Sequence, residues 1–392
     1  MKPTMFKIFP RSLPLRALAL LCAVSLTAPA PALAQTIETP AKHAFLIDMD
    51  TDTVLLDKLA DVPMPPASMS KLMTIYMVFD SLKADRLSLD DKFLVSRKAW
   101  RMGGSKMFVM VNTRVTVRDL LRGIIVQSGN DACIVVAEGL AGSEDAFARK
   151  MTAKAREIGL TNSSFKNATG WPAEGHVMSA RDIATLSARL IRDFPDYYPM
   201  FAELNFTYGG IKQGNRNPLL YKKFGADGLK TGHTEASGYG LAASAVRDGR
   251  RLLLVLNGLG SMRQRSSESA RLLDWGFRET KTYQLFGKDE EIATADIWLG
   301  RAASVPLVLG GPLKLTMSRK ARQGMVVKLN YRGPIPAPVA KGAPLGRLIV
   351  SQPGRPPLEV PVLAGQTVQQ LGVFGRLSAA LQYLLWGAAG SS

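Results

Sequence analysis

Apolar and polar positions alternate in three successive textures along this chain. Residues 44–57, AFLIDMDTDTVLLD, set two short apolar runs on either side of Asp50-Thr51-Asp52, which predicts a hairpin at the edge of a sheet. Pro63-Met-Pro-Pro66 interrupts that pattern. From Ala67 to Leu82, Met69, Leu72, Met73, Tyr76, Met77 and Phe79 recur at helical spacing with Pro65 and Pro66 just ahead, so Ser68 is expected in the first turn of a buried helix. Further helices are predicted over residues 117–126, 132–140, 146–158 and 181–192. Strands return at 226–231, 240–246 and 251–256, with Arg247-Asp-Gly-Arg250 as the hairpin turn, and residues 267–277 predict a helix able to cover the sheet. Residues 35–277 therefore form one expected α/β (α+β) unit, an antiparallel sheet flanked by helices.

Beyond Phe277, Leu313, Leu315 and Met317 alternate with Lys314, Thr316 and Ser318, and Val327, Leu329 and Tyr331 with Lys328 and Asn330. Residues 283–364 thus predict a small all-β domain. It carries no clustered Asp, Glu, His or Cys, which assigns it spacing or recognition rather than chemistry. The last segment, residues 367–386, is expected as an amphipathic helix with Leu371, Phe374, Leu377, Ser378, Leu381, Leu384 and Leu385 on one face and Gln369, Arg376 and Tyr383 opposite. Its single charge and terminal Trp386 suit a helix lying in a membrane interface; a spanning helix would carry Arg376 and three glutamines into hydrocarbon. Residues 367–392 are read as that anchor.

Composition adds export. Lys2, Lys7, Arg11 and Arg16, an apolar run over residues 17–26 and Ala32-Leu-Ala34 make residues 1–34 a secretory signal. Of the two cysteines, Cys22 falls in that segment, leaving Cys133 alone on an apolar helical stretch as an expected buried structural thiol. Without the signal's four cations the formal charge falls from +18 to +14. The Lys and Arg are scattered and no nucleic-acid motif accompanies them, so no nucleic acid is expected; an anionic envelope surface and a soluble basic surface with no partner both fit.

Three short motifs carry the chemistry: Ser68-Met-Ser-Lys71, Ser128-Gly-Asn130 and Lys230-Thr231-Gly232. A serine hydroxyl needs a base, and a lysine one helical turn away lies within reach of it, making Ser68 the candidate nucleophile and Lys71 its base. Burial and a second cation, for which Lys230 is the candidate, would hold Lys71 deprotonated. The backbone N–H of Ser68 is a candidate oxyanion donor. Ser128-Gly-Asn130 sits between two helices, where a hydroxyl and a carboxamide suit proton relay and amide binding, and a helix-capping turn equally. Lys230 and Thr231 end a strand and suit a carboxylate, while Gly232 removes a side chain where a substrate strand would lie. A second Ser-x-x-Lys at Ser163-Ser-Phe-Lys166 lies in a polar turn and is read as accidental.

As an ordered set, Ser-x-x-Lys, Ser-x-Asn and Lys-Thr-Gly resemble the penicillin-binding proteins and serine β-lactamases. PPASMSKLMT, IVQSGNDAC, QGNRNPLL and DGLKTGHT are similar to the D-alanyl-D-alanine carboxypeptidases of low molecular mass, a resemblance covering nearly the whole chain. It implies acylation of Ser68 by the penultimate D-alanine of a peptidoglycan stem peptide, inhibition by β-lactams, Lys71 as base, Ser128 as relay and Asn130 holding the peptide. It further implies that Lys230 and Thr231 receive the terminal carboxylate and that the N–H of His233 completes the oxyanion hole. Arg216 matches the family's basic residue near the site, with a surface salt bridge as the other reading; His176 lies in a loop beside the pocket. With no second His at ligand spacing, no metal or cofactor is expected. The protein is expected at the periplasmic face of the inner membrane, as a monomer.

Two enzymatic alternatives differ in the fate of the acyl group. A D,D-endopeptidase or transpeptidase shares the motifs. A class A β-lactamase needs Glu-x-x-Leu-Asn, for which this chain offers Phe201-Ala-Glu203-Leu204-Asn205, with Phe201 in place of the general base.

Overall fold

In the computed structural model residues 37–386 are described; the signal segment read at residues 1–34 and the final residues 387–392 lie outside them. The expected edge hairpin is β1 (His43–Asp48) and β2 (Thr53–Lys58), and the closing meander is β3 (Ala226–Thr234), β4 (Gly238–Arg247) and β5 (Arg250–Leu259). They form one antiparallel sheet in the order β2-β1-β5-β4-β3. Asp248 (φ 50°) and Gly249 (φ 76°) both adopt positive φ between β4 and β5, as a tight hairpin turn requires.

Strand alternation sorts side chains to two cores. Phe45, Leu253 and Val255 face the helical middle, and Leu46, Leu254 and Leu256 face the C-terminal covering helix. The helical layer comprises α1 (Lys71–Lys83), α2 (Asn130–Ala141), α3 (Glu144–Glu157) and α4 (Ala180–Asp193), while α5 (Met262–Glu279) covers the other face through Leu272 and Leu273. Ser143, Ser179 and Ser261 accept the backbone N–H three residues on and so cap α3, α4 and α5.

Two sequence expectations change here. Ser68 does not lie in the α-helix itself: Ala67–Ser70 is a 3₁₀ turn and α1 begins at Lys71. Ala67 before it adopts φ 48°, a left-handed conformation uncommon outside glycine. The C-terminal helix, α6 (Val373–Trp386), begins six residues later than its periodicity predicts. Thr367 Oγ1 accepts from Lys341 N at 3.1 Å, and Val368 pairs with Val339 as part of the β-domain core. That backbone pairing outcompetes extension of the helix.

The β domain is a six-stranded sheet in the order Val326–Tyr331, Pro344–Ser351, Leu358–Ala364, Ser304–Leu309, Glu291–Trp298, Ile335–Pro336, beside a two-stranded ladder of Thr280–Phe286 with Leu313–Ser318. Asp48 joins the two units. Fully buried, its carboxylate accepts from Arg250 Nε at 2.5 Å and from Thr316 Oγ1 at 3.0 Å, while Arg250 Nη1 donates to Thr280 O at 2.7 Å. Among the described residues no helix is long and apolar enough to cross a membrane.

Candidate active site

The structure brings Ser68 and Lys71 into contact at the start of α1, with Lys230 of β3 close enough to Lys71 to feel its charge, while Ser128 and Asn130 are both buried where α2 begins. Lys71, in the first turn of α1, is fully buried, and its Nζ lies 2.9 Å from Ser68 Oγ while also donating to Thr169 O. Burial is the main reason its pKa falls to about 8; Arg216 adds repulsion, and Cys133 and Asp131 oppose the shift. Lys230, also buried, is held well below the lysine range by burial and then by Lys71 and Arg216. The two buried lysines repel each other, as the sequence reading expected of Lys230, and Arg216 adds to the repulsion on both. Lys230 Nζ donates only weakly, to Thr231 O at 3.3 Å. Among the described residues no carboxylate forms an ion pair with Lys71, Lys230 or Arg216, so no internal anion competes there with an incoming one.

Lys230-Thr231-Gly232 lies inside β3 rather than at its end, because pairing with β4 continues to Thr234. Gly232 stands opposite Gly240. A Cβ on Gly232 would lie 3.0 Å from Pro66 O and 3.2 Å from Met69 Cγ; on Gly240 it would lie 2.6 Å from Met69 Cε. The missing side chains thus seat the turn that carries Ser68, where the sequence reading placed a substrate strand. His233 stacks its ring on Tyr239 with centroids 3.9 Å apart.

On the facing side, residues 123–127 widen into a π-helical turn and Ser128 ends it at φ 66°, a strained conformation that sets its buried side chain apart from the helix. Asn130 Nδ2 donates to Gly103 O at 2.9 Å. Asp131, which the sequence reading passed over, anchors this arrangement: its carboxylate accepts from the N–H groups of Met107, Phe108, Val109 and Ala132. Three of these backbone donors, at Met107, Phe108 and Val109, fix the 103–109 loop against α2 through one buried carboxylate. The loop's Ser105 accepts from Arg216 Nη1 at 2.6 Å, so Arg216 spans the site and makes no surface salt bridge.

A cavity of about 480 Å³ opens next to Ala67, bordered also by Trp171, Glu174, His176 and Thr234; Ser68, Lys71, Ser128, Asn130 and Lys230 do not line it. Burial lowers the His176 pKa to about 4; its Nδ1 accepts from Lys166 N at 3.2 Å, which leaves the proton on Nε2. Cys133 is buried under the site and its thiol is pushed up to about 12, unsuited to nucleophilic work. The second Ser-x-x-Lys forms no nucleophile–base pair: Ser163 donates to Asp182 at 2.6 Å, and its Lys166 reaches the cavity only through the backbone N–H on His176. Phe201 lies in the core, and Glu203 accepts from Arg122 Nε at 2.7 Å. Among the described residues no group of three His, Cys, Asp or Glu side chains could hold a metal ion.

The family model for D-alanyl-D-alanine carboxypeptidases matches residues 28–259, more than half of the chain. The chain belongs to that family. It is a serine-type D-alanyl-D-alanine carboxypeptidase, and residues 281–370 match the C-terminal domain of penicillin-binding protein 5. The carboxypeptidase is 37% identical to D-alanyl-D-alanine carboxypeptidase DacC of Escherichia coli over 354 residues, 88% of each chain, and 35% identical to DacA of the same organism over 347 residues, 86% of each. Penicillin binding protein 5 from Haemophilus influenzae is similar in structure, with a TM-score of 0.76 and 32% identity over 86% of this chain and 100% of that one. The β-lactamase, endopeptidase and transpeptidase alternatives are not favoured.

Proposed function

We propose that this carboxypeptidase removes the terminal D-alanine of peptidoglycan stem peptides through an acyl-enzyme on Ser68. The observation carrying the proposal is the 2.9 Å approach of a buried Lys71, pKa about 8, to Ser68 Oγ in a pocket whose other cations lack carboxylate partners. The neutral amine of Lys71 takes the Ser68 proton as Oγ attacks the penultimate carbonyl. The N–H of Ser68, in an opening turn that intrahelical bonding leaves unsatisfied, and that of His233 receive the oxyanion. Ser128 passes a proton to the departing amine, D-alanine leaves, and water releases the ester by the reverse proton path. Asn130 holds the peptide amide, and Lys230, Thr231 and Arg216 hold the terminal carboxylate. A β-lactam enters the same sequence but stays attached, because its leaving amine remains tethered where D-alanine would depart and blocks the reverse path, and Phe201 and the paired Glu203 offer no second base.

The signal read at residues 1–34 supports export of the mature enzyme, acting as a monomer on the periplasmic face of the cytoplasmic membrane. α6 holds it there: Phe374, Leu377 and Leu381 are 88, 63 and 60% exposed, an apolar face of the kind that inserts at a lipid interface.

Treating the purified protein with benzylpenicillin and mapping the adduct by mass spectrometry tests the mechanism. One penicilloyl group on the peptide containing Ser68, persisting for many minutes, is expected. Rapid steady hydrolysis with no adduct, or an adduct on another residue, contradicts it.

A further inference from the structure

Beside the unused Ser-x-x-Lys, Asn167 organises a tight turn against the nucleophile. Its Oδ1 accepts from Thr169 N at 3.1 Å, Thr169 Oγ1 at 3.1 Å, Gly170 N at 2.8 Å and Trp171 N at 3.2 Å, and its Nδ2 donates to Trp171 O at 2.9 Å. Gly170 adopts φ +78°, and any Cβ there would collide with Ala67 O, so the turn presses on the residue preceding Ser68. Two carbonyls of this segment reach α1: Ala168 O accepts from Thr74 Oγ1 at 2.7 Å and Thr169 O accepts from Lys71 Nζ. From the other side, Ala168 N donates to Glu144, itself paired with Lys98 at 2.8 Å.

A neutral amine has two N–H groups and one lone pair, and only the lone pair can take a proton from Ser68. With one N–H committed to Thr169 O, rotation about the terminal C–N bond of Lys71 is restricted and the lone pair can face Ser68 Oγ. We propose that Asn167 is a positioning residue for the general base, holding the Thr169 carbonyl on Lys71 so that the amine meets Ser68 with its lone pair. The inference rests on Lys71 being the base. The charged and titratable groups facing Lys71 are Arg216, Lys230, Cys133, Asp131 and His176, all unchanged by substitution at Asn167.

The test follows acylation by a fluorescent penicillin between pH 6 and 10, with pre-covalent affinity measured separately. Asn167→Ala loses all five Asn167 bonds of the turn, leaving the bond from Trp171 N to Thr169 Oγ1 at 3.1 Å, and its limiting acylation rate is expected to fall roughly 10- to 100-fold, as small misplacements of a reacting group do, with pre-covalent affinity within about twofold. Asn167→Asp keeps an acceptor for the four donors and adds a negative charge that favours the ammonium of Lys71, so most of the limiting rate is retained while its half-maximal pH moves upward. A wild-type limiting rate in Asn167→Ala, or an equal loss of binding and rate, overturns the proposal. So does a folded Asn167→Asp that keeps the acceptor yet loses tenfold or more of its limiting rate at every pH, which decides the matter if the alanine variant does not fold. Lys71→Ala checks the underlying reading: a wild-type rate there rejects Lys71 as base, whereas a slow Lys71→Ala with a normal Asn167→Ala rejects only the positioning role.

Discussion

At Lys71, burial performs the task that intrinsic acidity performs for a histidine base: it brings a proton acceptor into the neutral range. Because the pKa is lowered to about 8, the amine is mostly charged at pH 6 and mostly neutral at pH 9. Acylation by penicillin should therefore climb with pH and reach half its limit near 8, measured by stopped flow; a flat profile across that range would remove Lys71 from the role. Lys230 makes a second prediction. Replacing it with alanine removes a buried cation expected to meet the peptide's carboxylate, worth about 1.5–3 kcal/mol, so kcat/KM for a D-Ala-D-Ala peptide should drop roughly 10- to 100-fold. An analogue ending in a carboxamide should lose much less, and equal losses on both would contradict carboxylate recognition. The motif residues were legible in the sequence because acyl transfer restricts which residue types can serve and in what order. Asp131, Asn167 and Thr169 were not, since two of them act on backbone groups and the third through its own carbonyl, which any residue would supply.

Between elements, the contact that assembles the site is the seating of the Ala67–Ser70 turn on β3 and β4. Facing glycines at 232 and 240 permit it, and pairing fixes them opposite each other. Gly232→Ala forces a Cβ against Pro66 O and Met69, an overpacking expected to cost about 1–3 kcal/mol and to push Ser68 away from Lys71. Acylation should slow at least tenfold in a variant that still folds by circular dichroism, and an unaffected rate would show that the turn tolerates displacement. Periodicity located the hairpin, the meander and the helices because each buries one face. It missed the 3₁₀ opening of α1, whose apolar pattern matches that of an α-helix over four residues, and it carried the tail helix back to Thr367, where cross-strand pairing with Val339 prevails.

At the scale of the whole molecule, the Asp48–Arg250 pair and its threonine partners tie the catalytic unit to the β domain, from which α6 departs at Val373. Truncation should accordingly begin at residue 373, sparing Thr367 and Val368 in the β-domain core. Removing residues 373–392 should leave hydrolysis of a soluble peptide unchanged and shift the protein from membrane to soluble fractions; continued membrane association would reject the tail as anchor. The domain texture was readable from the shift to alternating positions after Phe277, but Asp48 lies in a strand whose sequence shows nothing of its partners more than two hundred residues away. The most direct test of the whole scheme is D-alanine release from diacetyl-Lys-D-Ala-D-Ala by the purified enzyme and by Ser68→Ala. Steady release by the first and none by the second is predicted, whereas equal release from both would show that Ser68 is not the nucleophile.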